Sequence, residues 1–157
     1  MLIGFDGSVP SRRRKFLREA LRFFFEQQLP QNVCEELEID IEYVDLKDGL
    51  QADLACEESG RCPRFFTMRI DRKTARSTKK LLVCLAHESV HVKQYALNQL
   101  RTTLSRDPQP ILKKYWKGRL WKPDKNETTA HDAPWEKEAY LKETELLMAW
   151  QNKSVDI

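Results

Sequence analysis

Two histidines four positions apart, with a glutamate directly after the first, could hold a metal ion. His87-Glu88-Ser89-Val90-His91 has the pattern H-E-x-x-H. Residues four apart on a helix lie on one face, so both imidazoles can reach one ion, and zinc is the metal typical of this pattern. Glu88 projects beside that face, where it can accept a proton from an activated water without occupying the metal. We therefore predict that His87 and His91 bind Zn²⁺ and that Glu88 is a general base.

The context of this motif favours a metal site over a chance match in a charge-rich helix. An apolar run, residues 81–86, directly precedes it, which predicts a buried helix. The chain has only three histidines, and two of them fall at this spacing. The alternative is that both are ordinary surface or core histidines.

A catalytic zinc site usually has three protein ligands, so a third is needed downstream. The candidates are Glu136, Glu138, His131 and Asp132. Pro134 predicts the start of a helix, on which Glu136 and Glu138 point about 200° apart, so only one of them can face the metal. The helical periodicity modestly favours Glu136 and leaves the other candidates open.

The chain here resembles the zincin metallopeptidases whose third ligand is a glutamate on a later helix, the gluzincin branch. Glu136-Lys137-Glu138-Ala139 fits the Glu-x-x-Ala pattern of several such families, which implies Glu136 as the ligand. Residues 87–95, 115–116 and 134–136 together also look like small metallopeptidases of phages and bacteria. The resemblance covers only the C-terminal half of the chain. It departs from the SprT-like and metzincin families, because no third histidine closely follows His91.

The resemblance also implies where a substrate would bind. Zincins bind an extended peptide along an edge strand that precedes the active-site helix. The segment Arg64–Ile70 is the candidate, with Phe66, Thr67 and Met68 as substrate-binding residues. The same segment could instead be an ordinary core strand. A tyrosine or histidine donates a hydrogen bond to the transition state in this branch, for which the candidates are Tyr115, His131 and Tyr140.

The helices and strands that the sequence predicts indicate one α+β domain spanning residues 1–157. We expect a minimal zincin-like fold with a long active-site helix, a small sheet and a C-terminal helix, which together position these residues. Apolar stripes predict helices, and alternating patterns predict strands. We expect helices from Ser11 to before Pro30, from about Ser77 to about Leu100 and from Pro134 to about Lys153, and strands at Leu37–Tyr43 and Arg64–Ile70. Residues 45–61 are expected to form a loop, and residues 115–121 a short strand or an irregular segment.

The composition of the chain limits which partners and which cellular location we expect. The net charge of +3, from 27 basic and 24 acidic residues, is too small an excess to argue for nucleic acid by itself, and we expect no nucleic-acid partner. The basic runs at 12–15 and 113–122, the second interleaved with aromatic residues, are expected to be solvated faces. No signal peptide or membrane span is evident, so we expect a cytoplasmic protein without a membrane partner. The four cysteines are expected to be reduced, Cys56 and Cys62 included.

Together these observations predict a zinc metallopeptidase that hydrolyses peptide bonds of a protein or peptide substrate. The first alternative is a non-catalytic zinc-containing module that binds protein or nucleic acid. The second is that the motif is accidental, in a small helical interaction protein. Neither the substrate nor the oligomeric state follows from the sequence.

Overall fold

The computed structural model describes residues 1–106, 108–122 and 132–153. These residues form an α+β fold, as the sequence predicts. In chain order the elements are β1 Leu2–Phe5, α1 Ser11–Gln28, α2 Gln31–Glu36, β2 Glu38–Val44, β3 Ala52–Cys56, β4 Phe65–Asp71, α3 Arg72–Ala75, α4 Thr78–Ala96, β5 Leu100–Ser105, β6 Ile111–Trp116, β7 Arg119–Leu120 and α5 Pro134–Lys153. The long α4 and the C-terminal α5 carry the candidate metal ligands.

The larger sheet has four strands in the order β1-β2-β4-β3. β1, β2 and β4 are parallel, and β3 joins β4 antiparallel at one edge. In β2 the apolar side chains of Ile39, Ile41 and Tyr43 are buried, and the acidic residues between them are not. This alternation places one face of the strand in the core, as predicted for Leu37–Tyr43.

The predicted edge strand is not an edge. β4 lies between β2 and β3 and pairs with both, so its backbone cannot pair with a substrate strand. Phe66 and Met68 are fully buried, and Thr67 is nearly so. The prediction that Phe66, Thr67 and Met68 line an exposed edge is therefore wrong, and the exposed edge on that side is β3.

β3 itself lies within residues 45–61, which were expected to be a loop. Its sequence, Ala-Asp-Leu-Ala-Cys, has no β-branched or aromatic residue, so local propensity does not indicate a strand. Pairing with β4 over five residues, from Ala52 opposite Ile70 to Cys56 opposite Phe66, makes this segment a strand. Tertiary context overrides the local preference here.

α4 lies at the centre of the fold, packed against α1, the four-stranded sheet and α5. Ser77 caps it, because its side chain accepts a hydrogen bond from the Lys80 amide. The helix ends at Ala96, four residues before the predicted end. Asn98 adopts a left-handed φ of 56°, the Asn98 amide bonds the Tyr95 carbonyl and the Gln99 amide bonds the Gln94 carbonyl. This Schellman-type ending turns the chain directly into β5.

A second, three-stranded antiparallel sheet follows, in the order β5-β6-β7. The predicted strand or irregular segment at 115–121 is the end of β6, a turn and β7. Lys117 and Gly118 both have positive φ in the turn between them, as a tight hairpin requires.

α5 begins at Pro134 and ends at Lys153, as predicted. It packs on α4 through Ala139, which is fully buried, and its Trp150 ring contacts the rings of Phe16, Phe23 and Phe24 on α1. The small Ala139 side chain allows α5 to approach α4 closely. No helix among the described residues is long and apolar enough to cross a membrane.

Candidate metal centre

His87, His91 and Glu136 come together between α4 and α5. The two histidines lie one turn apart on α4, and Glu136 lies in the first turn of α5. The Nε2 atoms of His87 and His91 are 3.2 Å apart. The Glu136 carboxylate contacts both, with 3.2 Å to His87 Nε2 and 3.3 Å to His91 Nε2. The ligand atoms of the three residues all lie within 4.8 Å of one another, so this cluster could hold a metal ion.

The hydrogen bonds of Gln94 fix the tautomer of His91. The Gln94 amide nitrogen donates to the Trp135 carbonyl at 2.9 Å, a partner that can only accept. The other Gln94 side-chain atom is therefore its oxygen, which lies 2.8 Å from His91 Nδ1. Because an amide oxygen can only accept, Nδ1 carries the proton, and Nε2 of the neutral ring presents a lone pair to the cluster.

Glu143 has the same effect on His87. Its carboxylate lies 2.7 Å from His87 Nδ1 and can only accept while it is ionised. The Nδ1 atom of His87 therefore donates, and in the neutral ring Nε2 presents its lone pair to the cluster. A histidine that ligates a metal is commonly held in this way by an acceptor behind it.

Three electron-rich groups thus converge without a donor of their own: two imidazole lone pairs and the Glu136 carboxylate. Two lone pairs 3.2 Å apart repel unless a proton or a cation lies between them. Ligand atoms about 2.1 Å from a tetrahedral ion lie about 3.4 Å from one another, close to the separations seen here. The donor set and its spacing therefore fit a small divalent cation.

The pKa shifts of His87, His91 and Glu136 arise from the same convergence of imidazole and carboxylate groups. Burial disfavours protonated His87, but its hydrogen bonds to Glu136 and Glu143, with the charge of Glu88, outweigh burial and raise its pKa to about 10. Burial likewise opposes protonation of His91, yet Glu136 and Glu88 raise its pKa. Burial also opposes ionisation of Glu136, but both histidines lower its pKa far below the usual range. The cluster attracts positive charge, so protons and a metal ion compete for it.

Glu88 lies in the same cavity but is not one of the three clustered residues. Its side chain is buried, with 6% of the residue exposed. Burial raises the pKa of its carboxyl, and the neighbouring histidines only partly oppose that shift. Glu88 is therefore a buried carboxyl group with a raised pKa beside the cluster, which is the kind of perturbed group that is often found at functional sites.

The cavity around the cluster has a volume of about 580 Å³. Residues of β3 and the segment before it line one side, and Lys114, Trp135 and Tyr140 line another. A neighbouring cavity of about 670 Å³ continues the cleft between β5 and residues 56–63, and the two share Tyr95 and Leu100. The cleft therefore extends well beyond the metal cluster.

The other candidate residues lie elsewhere. Glu138 pairs with Lys93 at 2.7 Å and accepts from the Gln94 amide nitrogen at 3.4 Å. Neither Glu138 nor Asp132 is part of the cluster. Tyr140 lines the cavity, with its ring 4.8 Å from the His87 ring. Tyr115 lies beneath the Arg101 guanidinium and does not line either cavity described above. His131 lies outside the described residues.

Sequence reasoning missed Gln94 and Glu143. Gln94 is fully buried three residues after His91, and a buried glutamine on the ligand face could have been noticed. Glu143 lies seven residues after Glu136, two helical turns along the same face of α5. That spacing is visible in the sequence, but its use depends on how α5 packs on α4.

Comparison of the chain with known protein families, with curated proteins and with solved structures finds no match to any of the three. The function therefore has to be argued from the geometry of the site.

We predict that Glu136→Gln weakens metal affinity by an order of magnitude or more, because it removes the only carboxylate of the cluster. Glu138→Gln changes the same side chain two residues away and is expected to alter affinity little. Competitive titration of both variants against a chelator measures the difference. A larger loss in Glu138→Gln would contradict the assignment of Glu136.

We further predict that Gln94→Leu or Glu143→Leu weakens metal affinity roughly 10- to 100-fold, because each removes the acceptor that fixes a histidine tautomer. The same chelator titration measures it, and Gln28→Leu, near Ser89 on the opposite side of α4, serves as a control for changes in packing. Unchanged affinity in both site variants would show that the hydrogen bonds to Nδ1 do not position the ligands.

Proposed function

We propose that this chain is a zinc-dependent hydrolase of peptide bonds, a metallopeptidase similar in its site to the gluzincins. One observation carries the proposal: His87, His91 and Glu136 form a cluster that could hold a metal ion, and Glu88 lies beside it in an open cleft. Two imidazoles and one carboxylate, with room for a further ligand, are typical of catalytic zinc. A structural zinc site would be closed by a fourth protein ligand and would not need Glu88.

When bound, zinc would polarise the substrate carbonyl and lower the pKa of a water to about 7. The chain's own contribution begins with Glu88, which accepts the proton of the attacking water and passes it to the leaving amine. Its raised pKa makes the carboxylate a stronger base than an exposed glutamate. Gln94 and Glu143 keep both Nδ1 atoms protonated, so the Nε2 atoms stay free to bind metal.

Tyr140 is the proposed hydrogen-bond donor to the transition state. It lines the cavity beside His87. Burial and the charges of Glu136 and Glu143 raise the pKa of its hydroxyl, so the group stays protonated at neutral pH and can donate. Tyr140 fits this role better than Tyr115, which does not line the cavity.

The exposed edge of β3 supports a peptide as the substrate. The Asp71 amide bonds the Gln51 carbonyl, and the Glu57 amide bonds the Phe65 carbonyl. In an antiparallel pair these bonds alternate, so Asp53 and Ala55 also face β4, and Ala52, Leu54 and Cys56 direct their N–H and C=O groups outward. Ala52 and Leu54 line the metal cavity. An extended peptide can pair with these groups and lie across the cluster.

Glu88→Gln tests the proposed chemistry. The variant should retain the metal, because Glu88 is not in the cluster, and lose at least about 100-fold in the rate of peptide hydrolysis, because the amide cannot accept the proton. The measurement is turnover of an unstructured protein such as casein, or of a mixed peptide library, by the zinc-loaded protein. Glu138→Gln is the matched control.

Wild-type turnover in Glu88→Gln would show that Glu88 is not the base. A wild-type protein that binds zinc but cleaves no peptide in the library would contradict the proposed peptidase activity but not the proposed metal binding. The two outcomes separate metal binding from catalysis.

A further inference from the structure

Two segments far apart in the sequence concentrate positive charge. Residues 11–18 contain five basic and no acidic residues, and residues 72–80 contain another five and none. The other 17 basic residues share the rest of the chain with all 24 acidic residues. The small net charge of +3 therefore conceals a strong segregation of charge.

The fold brings these two segments to the same end of one helix pair. At one end of the pair, Arg13 Nη1 donates to Thr78 Oγ1 at 2.9 Å, and at the other, Gln28 Nε2 donates to Ser89 Oγ at 3.0 Å. α1 and α4 therefore run parallel, with both N-termini together. We call the basic residues at this end of the pair, the exposed Arg12, Arg76, Lys79 and Lys80 and the half-buried Arg13, the basic face.

The charges of the basic face are not neutralised by the fold. Arg12, Arg76, Lys79 and Lys80 are exposed, and none of the five residues forms an ion pair with a carboxylate in the described part of the chain. The first turns of α1 and α4 contain no acidic residue. Cations at the positive end of a helix dipole oppose folding, so this arrangement weakens the fold rather than supporting it.

We propose that the basic face binds the phosphate backbone of double-stranded nucleic acid. Guanidinium and ammonium groups at the N-terminal ends of two adjacent helices can each neutralise a backbone phosphate, and arginine can bind a phosphate through two hydrogen bonds. No aromatic side chain belongs to the face, so it offers no stacking platform for the bases of a single strand. Binding through phosphates alone carries no sequence preference.

A membrane is a poorer fit for the same surface. Binding to a lipid surface usually combines basic residues with apolar side chains that insert. The exposed large apolar residues of the described chain, including Leu104, Ile111 and Leu112, lie outside residues 11–18 and 72–80. The basic face therefore presents charge without an apolar component.

The basic hairpin β5–β6 is also a poorer fit. Arg101, Lys114 and Lys117 each lie over an aromatic ring of this region. Lys114 lines the metal cavity, so part of this charge faces the cleft. The remaining exposed residues Lys113, Arg119 and Lys122 provide a control of equal charge.

The basic face is separate from the metal cluster. Lys80, the basic-face residue nearest to the cluster along α4, lies seven residues before His87, about 10 Å along the helix axis. Duplex binding would hold the cleft close to nucleic acid. The expectation of no nucleic-acid partner, drawn from net charge, is replaced by this proposal, which does not depend on peptidase activity.

The test is fluorescence anisotropy with a labelled random-sequence DNA duplex of about 24 base pairs, between about 50 and 200 mM NaCl. With about five phosphate contacts, the slope of log K against log salt should be about −4.5. Arg76→Ala/Lys79→Ala/Lys80→Ala should weaken binding at least tenfold and reduce that slope by roughly 3. All three residues are exposed and lie at the positive end of a helix, so the variant should be at least as stable to thermal unfolding as the wild type.

The control is Lys113→Ala/Arg119→Ala/Lys122→Ala, which removes the same charge from the hairpin and should retain most of the affinity. Equal or greater loss in this control would overturn the assignment, as would no duplex binding at about 50 mM NaCl. Tighter binding to vesicles of anionic phospholipid, to polyglutamate or to single-stranded DNA than to the duplex would also overturn it.

Discussion

The repulsion between two imidazole lone pairs and a carboxylate is the constraint on which the account of this molecule depends. His87 and His91 direct their Nε2 atoms at each other across 3.2 Å, and Glu136 contacts both. The hydrogen bonds to Gln94 and Glu143 hold the protons of both neutral rings on the opposite side. Only a proton or a metal ion between these groups relieves the repulsion. Protonation of the histidines relieves this repulsion, which is why the pKa of both is raised.

The rest of the fold keeps these groups in place. The fully buried Ala139 permits the close approach of α5 to α4, and Trp150 anchors the far end of α5 on α1. Gln94 connects the two helices directly, because it bonds both His91 and the Trp135 carbonyl. The metal cluster and the helix packing are thus one structural unit, so a change in either should affect the other.

Much of this arrangement can be predicted from the sequence, since it follows from local periodicity. The helical spacing of His87 and His91, the cap at Ser77 and the start of α5 at Pro134 are each specified by a few neighbouring residues. The opposed directions of Glu136 and Glu138 allow only one of them to reach the cluster, and the helical periodicity modestly favours Glu136. The strand β3 could not be predicted, because its residues become a strand only through pairing with β4. The roles of Gln94 and Glu143 and the position of the basic face depend on which faces of neighbouring helices contact each other. The periodicity within one helix does not predict those contacts.

The central claim is that the cluster of His87, His91 and Glu136 binds one metal ion. The most direct test is the metal content of the purified protein, measured by inductively coupled plasma mass spectrometry after dialysis, beside His87→Ala and His91→Ala. The account predicts about one zinc per chain in the wild type and none in stoichiometric amount in either variant. A wild-type protein that binds no divalent metal, or a variant that keeps full zinc occupancy, would contradict it.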